Sequence, residues 1–447
     1  MLTSTGTYVA RLAIGFVAAL IASWSAPAMA QTTAQIPLQF DFLPPGARSV
    51  AMGSAFVGAA DDATAAFTNP AGLARLSERS VSAELRFKRL TTTYLSAGRV
   101  SGNITGIGLD TIPMPVYGED VDDHFGPTFG SLLWPFGANT SVIGYAHQVA
   151  TIENAFSDQG VFFHFSAPGI SDDHNRKNPV GGSRSVTITN YGGAVGYKFS
   201  DTFSVGGGIS FYRFRLDADF ASFGITGNFA GPVNTSEVDS TAVQRGTDWS
   251  PAFNLGVLWD PIKNVKIGGA FRLGPGFDFS QHDQVPSLGF DLERHGTFKV
   301  PDVWSAGVQW TWHDVRVVVD YDLVRYGQLK TDFIDFQSLA SNRPAQLRLD
   351  DGNEIHAGVE YLVAKAKVPV FLRGGFWRDP DHTVQYVPTP ANDDIDVLYA
   401  ATMPGGSAVI HYTFGGGVVA TKWLELNAAA DLSSRTKYAT FSVVIRR

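Results

Sequence analysis

The residues able to do chemistry in this 447-residue chain are few, and they do not converge in sequence. There is no cysteine, which removes thiol catalysis, disulfides and thiolate-bound metal together. The ten histidines are scattered, with no H-E-x-x-H spacing to set two imidazoles on one helix face, and no G-x-S-x-G turn presents a serine to a base. These spacings predict no catalytic residue, no metal and no cofactor. A serine and a histidine assembled only by folding would still make a lipid hydrolase. Three acidic runs, Glu119-Asp120-Val121-Asp122-Asp123, Ser171-Asp172-Asp173 and Asn392-Asp393-Asp394, carry oxygen ligands of the kind calcium takes and equally suit solvated loops. Gly192-Gly193 and the triplets at 206–208 and 415–417 are not phosphate loops, because no helical pattern follows them. Glycine within a strand instead marks a kink or a close approach of other backbone. Six ionisable residues remain, Glu84, Arg86, Arg316, Asp320, His356 and Glu360, and their meaning depends on the elements that carry them.

Those elements read as strands. Val81, Ala83, Leu85 and Phe87 alternate with Ser82, Glu84, Arg86 and Lys88, and successive side chains of a strand point to opposite faces. Val315, Val317, Val319 and Tyr321 alternate with Arg316, Asp320 and Asp322, and Ile355, Ala357, Val359 and Tyr361 with His356 and Glu360. One face is therefore apolar and the other ionisable, so the six cannot face lipid. Inward charges at membrane depth are either functional or paired to tether a plug to the wall. Trp304, Trp310 and Trp312 share one apolar face and suit an interfacial girdle.

Alternation and turn signals place strands at about 80–97, 126–136, 140–152, 184–199, 202–217, 247–259, 264–278, 300–313, 315–329, 354–364, 368–380, 407–420, 422–432 and 436–446. Fourteen is an even number, as a closed antiparallel barrel requires, and short turns alternate with long stretches such as 98–125, 153–183, 218–246 and 381–406. Composition agrees: 44% of residues are hydrophobic, 17% are charged and 47 are glycine, while the only long apolar run is at the N-terminus. A polytopic helical protein is excluded. A formal charge of −8 without a basic tract excludes a nucleic-acid partner. Arg11, the apolar stretch Leu12 to Trp24 and Ala28-Met29-Ala30 read as a secretory signal peptide over 1–30. The fold class is thus all-β, a transmembrane antiparallel barrel over 80–447, preceded by a Gly- and Ala-rich segment over 31–79 that reads as a compact plug.

That segment carries the most specific wording. Asp61-Asp62-Ala63-Thr64 followed by Phe67-Thr68-Asn69-Pro70-Ala71-Gly72-Leu73 resembles the N-terminal signature of the long-chain fatty acid outer-membrane transporters, the FadL and TodX group. Val300-Pro301-Asp302-Val303-Trp304 is similar to a later strand of that family. The resemblance implies a fourteen-strand barrel with a luminal hatch, Asn69, Pro70 and Ala71 being the hatch motif. It also implies downhill uptake of a hydrophobic small molecule, captured at outer loops and released sideways through an opening made by a kinked strand. The partners it implies are that ligand, the bilayer with its lipopolysaccharide, and the barrel assembly machinery. The chain ends Ile445-Arg446-Arg447 where that machinery usually meets a terminal aromatic, which puts Phe441 forward as a displaced equivalent. Gly46-Ala47-Arg48 and Met52-Gly53 also resemble related barrels that act as shuttles in a surface-secretion system.

Two stretches are unusually apolar for outer loops. Phe162, Phe163 and Phe165 follow the third strand and Phe220 and Phe223 the fifth, and an exposed apolar patch there would capture a greasy ligand. The same aromatics would serve equally to pack the loops together or extend the strands.

Overall fold

The computed structural model describes residues 42, 44–330, 346–364 and 366–447. The signal peptide read at 1–30 and residues 31–41 of the plug segment lie outside the described residues. Fourteen antiparallel strands close into one barrel, numbered here β1 to β14 in chain order. The first six are β1 (Ser80–Gly98), β2 (Pro115–Phe136), β3 (Thr140–Ser157), β4 (Val180–Ser200), β5 (Phe203–Ile225) and β6 (Val233–Ile262). Two broken strands follow, β7 (Val265–Arg272 with Gly276–Val285) and β8 (Phe290–Lys299 with Val303–Trp312). The last six are β9 (Val315–Val324), β10 (Gly352–Leu362), β11 (Val370–Asp379), β12 (Val409–Thr421), β13 (Leu424–Leu432) and β14 (Thr436–Arg446). Each pairs with its neighbours, and β1 closes on β14 from Ser80↔Arg446 to Leu90↔Thr436.

The period-two reading holds along the wall. Val81 and Leu85 are exposed on the outer surface while Glu84 and Arg86 are buried on the inner one. Trp304 and Trp312, both exposed, lie eight residues apart on β8. At about 3.3 Å per residue and a tilt near 40° they stand about 20 Å apart along the barrel axis, one for each interface of the bilayer. No helix among the described residues is long and apolar enough to cross a membrane.

Strand lengths depart from the sequence reading on the outer side. The stretch at 218–246 is mostly strand, because the β5–β6 connection shrinks to 226–232, and β2 takes in the last part of 98–125 by beginning at Pro115. Gly276–Val285 and Phe290–Lys299 are strands as well, whereas 325–329 leaves the sheet for a 3-10 turn (Tyr326–Leu329). Outside the membrane both faces of a strand can be polar, so the alternation fades although the ladder continues.

The N-terminal segment folds as short helical pieces, α1 (Ala47–Ala51), α2 (Ala65–Thr68) and a 3-10 turn (Pro70–Arg75). Thr64 opens α2, and Pro70 pushes Asn69 into the extended region, which ends it. The segment touches inward-facing groups on β1, β6, β9, β10 and β12. Close approach depends on wall glycines: a Cβ on Gly256 would sit 2.0 Å from Asn69 Oδ1, and one on Gly206 2.2 Å from the Pro70 carbonyl carbon. That answers the glycine triplets, which line β5 and β12 rather than a phosphate.

Candidate functional site

Each of the six ionisable residues singled out by alternation touches the N-terminal segment. Glu84 accepts from Gly46 N at 2.6 Å, and Arg86 donates to Pro44 O at 3.1 Å. Arg316 meets Asp61 at 3.0 Å, and Asp320 accepts from Val57 N at 2.6 Å. His356 Nδ1 lies 2.8 Å from Gly53 O, and Glu360 accepts from Arg48 Nε at 3.0 Å. Sequence reasoning missed Arg48 as the hub. Its guanidinium bridges Asp61 at 2.6 Å and Glu360, and Glu360 is also held by Arg373 at 2.7 Å and Arg316 at 3.2 Å. Burial alone would raise the Asp61 carboxyl, but Arg48 and Arg316 outweigh it and hold it well below the ordinary carboxylate range.

The motif residues Asn69, Pro70 and Ala71 are all fully or nearly fully buried. Asn69 Nδ2 donates to Val57 O at 2.9 Å and to Val257 O of β6 at 3.1 Å, while its Oδ1 accepts from Ala71 N at 3.2 Å. One amide thus engages two carbonyls and one N–H, tying two parts of the segment to each other and to the wall. Phe67 packs its ring edge on His147 of β3 at 4.5 Å.

A buried apolar cluster threads the barrel interior between its polar groups. A single buried cluster runs from Tyr399, Met403 and Leu347 of the outer connections to Phe56, Phe67 and Leu73 of the N-terminal segment. Along it Tyr94, Phe156 and Phe220 follow at centroid spacings of 5.4 and 5.8 Å, and Phe214 stacks on Phe277 and Phe298 at 4.9 and 5.1 Å.

The five aromatics expected in capture loops divide differently. Phe220 and Phe223 belong to β5 rather than a loop, and Phe220 is buried on the interior path. Phe162, Phe163 and Phe165 lie in an outer hairpin, Phe162–Ala167 with Ile170–Arg176. Phe162 is buried between the guanidiniums of Arg99 and Arg176 and against Phe229, while Phe163 packs on Leu95, Val161 and Leu398. With Phe162 and Phe220 only 3% and 2% exposed, the five do not form one accessible patch.

The acidic runs also find structural places. Asp172 and Asp173 sit in the outer hairpin, and Asp393 caps α3 (Asp394–Thr402) through a reciprocal capping box with Asp396. The hairpin sets Ser171 Oγ 3.5 Å from His164 Nε2, with His164 Nδ1 2.8 Å from Asp173. Those are the groups a hydrolase needs. The serine contact is longer than the roughly 2.6 to 3.2 Å of a bond set for proton transfer, as such contacts often are without substrate. Asp173 moreover accepts from Asn103 N and faces Arg99, fastening the hairpin to the β1–β2 connection.

Asp120 and Asp122 stand at a break in the wall. β2 and β3 pair only from Phe136↔Thr140 to Phe129↔His147. Above His147, β3 carries an irregularity between Gln148 and Ala150 and continues to pair with β4 alone. Side chains cross the seam instead. Asp122 accepts from Glu153 N at 3.2 Å, Asp120 from Asn154 Nδ2 at 2.9 Å, and Lys88 reaches both Thr151 O and, at 2.9 Å, Asp122. A cavity of about 40 Å³ opens behind it, lined among others by Lys88, His124, Thr128, Gln148, Val149 and Ile152.

A closed fourteen-strand antiparallel barrel with an apolar outer band is the architecture of an outer-membrane protein. The chain belongs to the outer membrane protein transport family described as OMPP1/FadL/TodX, whose model matches residues 46–385. Its fold is similar to a FadL homologue of Pseudomonas aeruginosa, at TM-score 0.59 and 13% identity over 92% of this chain and 98% of that one. It is similar also to the toluene transporter TbuX of Ralstonia pickettii, at TM-score 0.57 and 13% identity over 91% and 99%. The toluene transporter TodX of P. putida gives TM-score 0.58 and 12% identity over 91% and 99%. No curated protein sequence matches the chain.

Proposed function

We propose that this barrel is a passive channel that takes hydrophobic small molecules, long-chain fatty acids or hydrocarbons, across the outer membrane. The observation that carries the reading is the contiguous apolar cluster from the outer connections to Phe67, along which a polar solute would move at the cost of its hydration. Family membership and the toluene transporters among similar folds agree with it. The N-terminal segment acts as the hatch. It blocks the lumen below Phe214, and its ionic and glycine contacts hold it to the wall. The ligand leaves sideways through the β2–β3 seam, where Val149, Ala150 and Ile152 of the apolar cluster come to the edge of the unpaired ladder. Glu84 couples hatch and seam, since it accepts from Gly46 N and from Thr128 Oγ1 at the seam's inner margin. Nothing here requires chemistry or an energy source, only a gradient.

The test is uptake of labelled oleate and labelled toluene by cells whose own hydrophobic channels are deleted and which express this chain. Phe156→Asp and Phe220→Asp place a charge in the path and should abolish uptake while the barrel keeps its heat-modifiable migration on gels. Normal uptake by both variants would remove the path from the explanation.

A further inference from the structure

We propose that Asp322, Glu354 and His356 form a binding site for one divalent transition-metal ion, with zinc as its probe, on the inner face of β9 and β10. The donor atoms of the three lie within 4.8 Å of one another. Asp322 stands directly opposite Glu354 in the ladder and Asp320 opposite His356, so three carboxylates crowd one patch of wall. Like charges directly opposite on paired strands are destabilising unless something neutralises them. Among the described residues no lysine or arginine pairs with Asp320, Asp322 or Glu354, and the imidazole is their only basic neighbour.

The imidazole itself points to a ligand. Its Nδ1 is 2.8 Å from Gly53 O, and a carbonyl only accepts, so the hydrogen resides on Nδ1. In the neutral ring Nε2 is then a bare lone pair. It makes no hydrogen bond, belongs to a residue only 4% exposed, and looks at Glu354 Oε2 at 3.3 Å and Asp322 Oδ2 at 3.9 Å. A lone pair facing two carboxylates is stable only around a positive charge, either a second proton on the ring or a metal ion, and the zinc titration separates the two. A metal-bound histidine characteristically gives its other N–H to a backbone carbonyl, the bond that Gly53 receives here. Glu354 is oriented from behind in the same manner, its Oε1 accepting from Tyr326 Oη at 2.9 Å.

The spacing suits a small ion. Bonds of about 2.1 Å in a tetrahedron put donors about 3.4 Å apart. The histidine and Glu354 are already there, and Asp322, whose side chain is 23% exposed, stands about half an ångström too far from the imidazole and within 4.8 Å of Glu354. Two carboxylates with one neutral imidazole balance a divalent charge, and a nitrogen donor favours a first-row transition ion over calcium or magnesium. The ion would fix the ring that holds Gly53, and so clasp the N-terminal segment to the wall.

The experiment uses the full chain in detergent, stripped with chelator and titrated with Zn²⁺ by calorimetry, with bound zinc counted by elemental analysis. The exposed pairs His174–Asp172 and His282–Asp291 and the half-buried pair His164–Asp173 supply the background. The expected result is one tight zinc per chain, weakened about 100-fold or more in Asp322→Asn and Glu354→Gln and about tenfold in Tyr326→Phe. The zinc absorption edge of the wild type should report a single imidazole among oxygen donors, a readout that does not depend on any variant folding. No tight zinc, tight zinc retained by Asp322→Asn, or a spectrum with two or more imidazoles overturns the proposal.

Discussion

Two seams interrupt the ladder of this barrel, and they are sealed by different chemistry. At β2–β3 the strands part above His147, and the backbone of β3 is met by Asp120, Asp122 and Lys88. At β6–β7 the ladder lapses between Arg245↔Ser280 and Asn254↔Arg272, around the Leu273-Gly274-Pro275 break. Asp248 crosses there too, accepting from Asp278 N at 2.9 Å. Behind it, however, Phe214, Phe277 and Phe298 stack face to face and are almost wholly buried. A missing row of backbone hydrogen bonds is therefore not in itself a doorway. Displacing a few long polar side chains at the first seam exchanges their contacts for water at small net cost. Opening the second would expose an aromatic stack, at a cost of about 1.5 to 3 kcal/mol per ring.

The comparison breaks most sharply by fastening the first seam. Because the chain has no cysteine, Asp120→Cys with Asn154→Cys gives a clean crosslink, and oxidation should drop uptake to background with recovery on reduction. Uptake unaffected by the crosslink would place the exit elsewhere. Next in size, Phe277→Ala should cost about 3 to 5 kcal/mol, as cavities left by large core aromatics do, and lower the thermal midpoint of the barrel. A change below about 1 kcal/mol would mean that the stack does not seal the second seam. Glu84→Gln loses the charge in its bonds to Gly46 N, Thr128 and Arg86, a loss of about 1 to 3 kcal/mol. It should change uptake more than it changes barrel yield. The smallest effect belongs to the control, Asp248→Cys with Asp278→Cys, whose oxidation should leave uptake unchanged. Inhibition there would make the two seams equivalent.

Much of the wall was legible because lipid on one side imposes a strict period. Glu84, Arg86, Arg316, Asp320, His356 and Glu360 were found from alternation alone, and each meets the N-terminal segment. The outer parts were not legible. Asp120 and Asp122 read as loop acids, and Phe220 and Phe223 as loop aromatics, because water on the outside of a strand removes the apolar half of the pattern. The cluster of Asp322, Glu354 and His356 was missed for another reason. A motif search looks for donors at fixed spacings along one element, whereas these are joined by the register between two strands, which no local spacing encodes. Arg48 lies in the Gly- and Ala-rich stretch, but its partners Asp61 and Glu360, and the Arg316 that shares both carboxylates, are spread over the chain.

The wall glycines bear on how such a molecule can be put together. With no room for even one added carbon at Gly206 or Gly256, the segment around Asn69 and the wall fit each other only as they stand. The hem where β1 meets β14 joins residues more than 340 positions apart, Leu90 with Thr436 being the nearest in sequence. Contacts of that separation form late. The expected order is that the segment is laid against a half-built sheet and the last strand drawn around it afterwards, and Gly206→Leu, which keeps the segment off the wall, should then lower the yield of closed barrel.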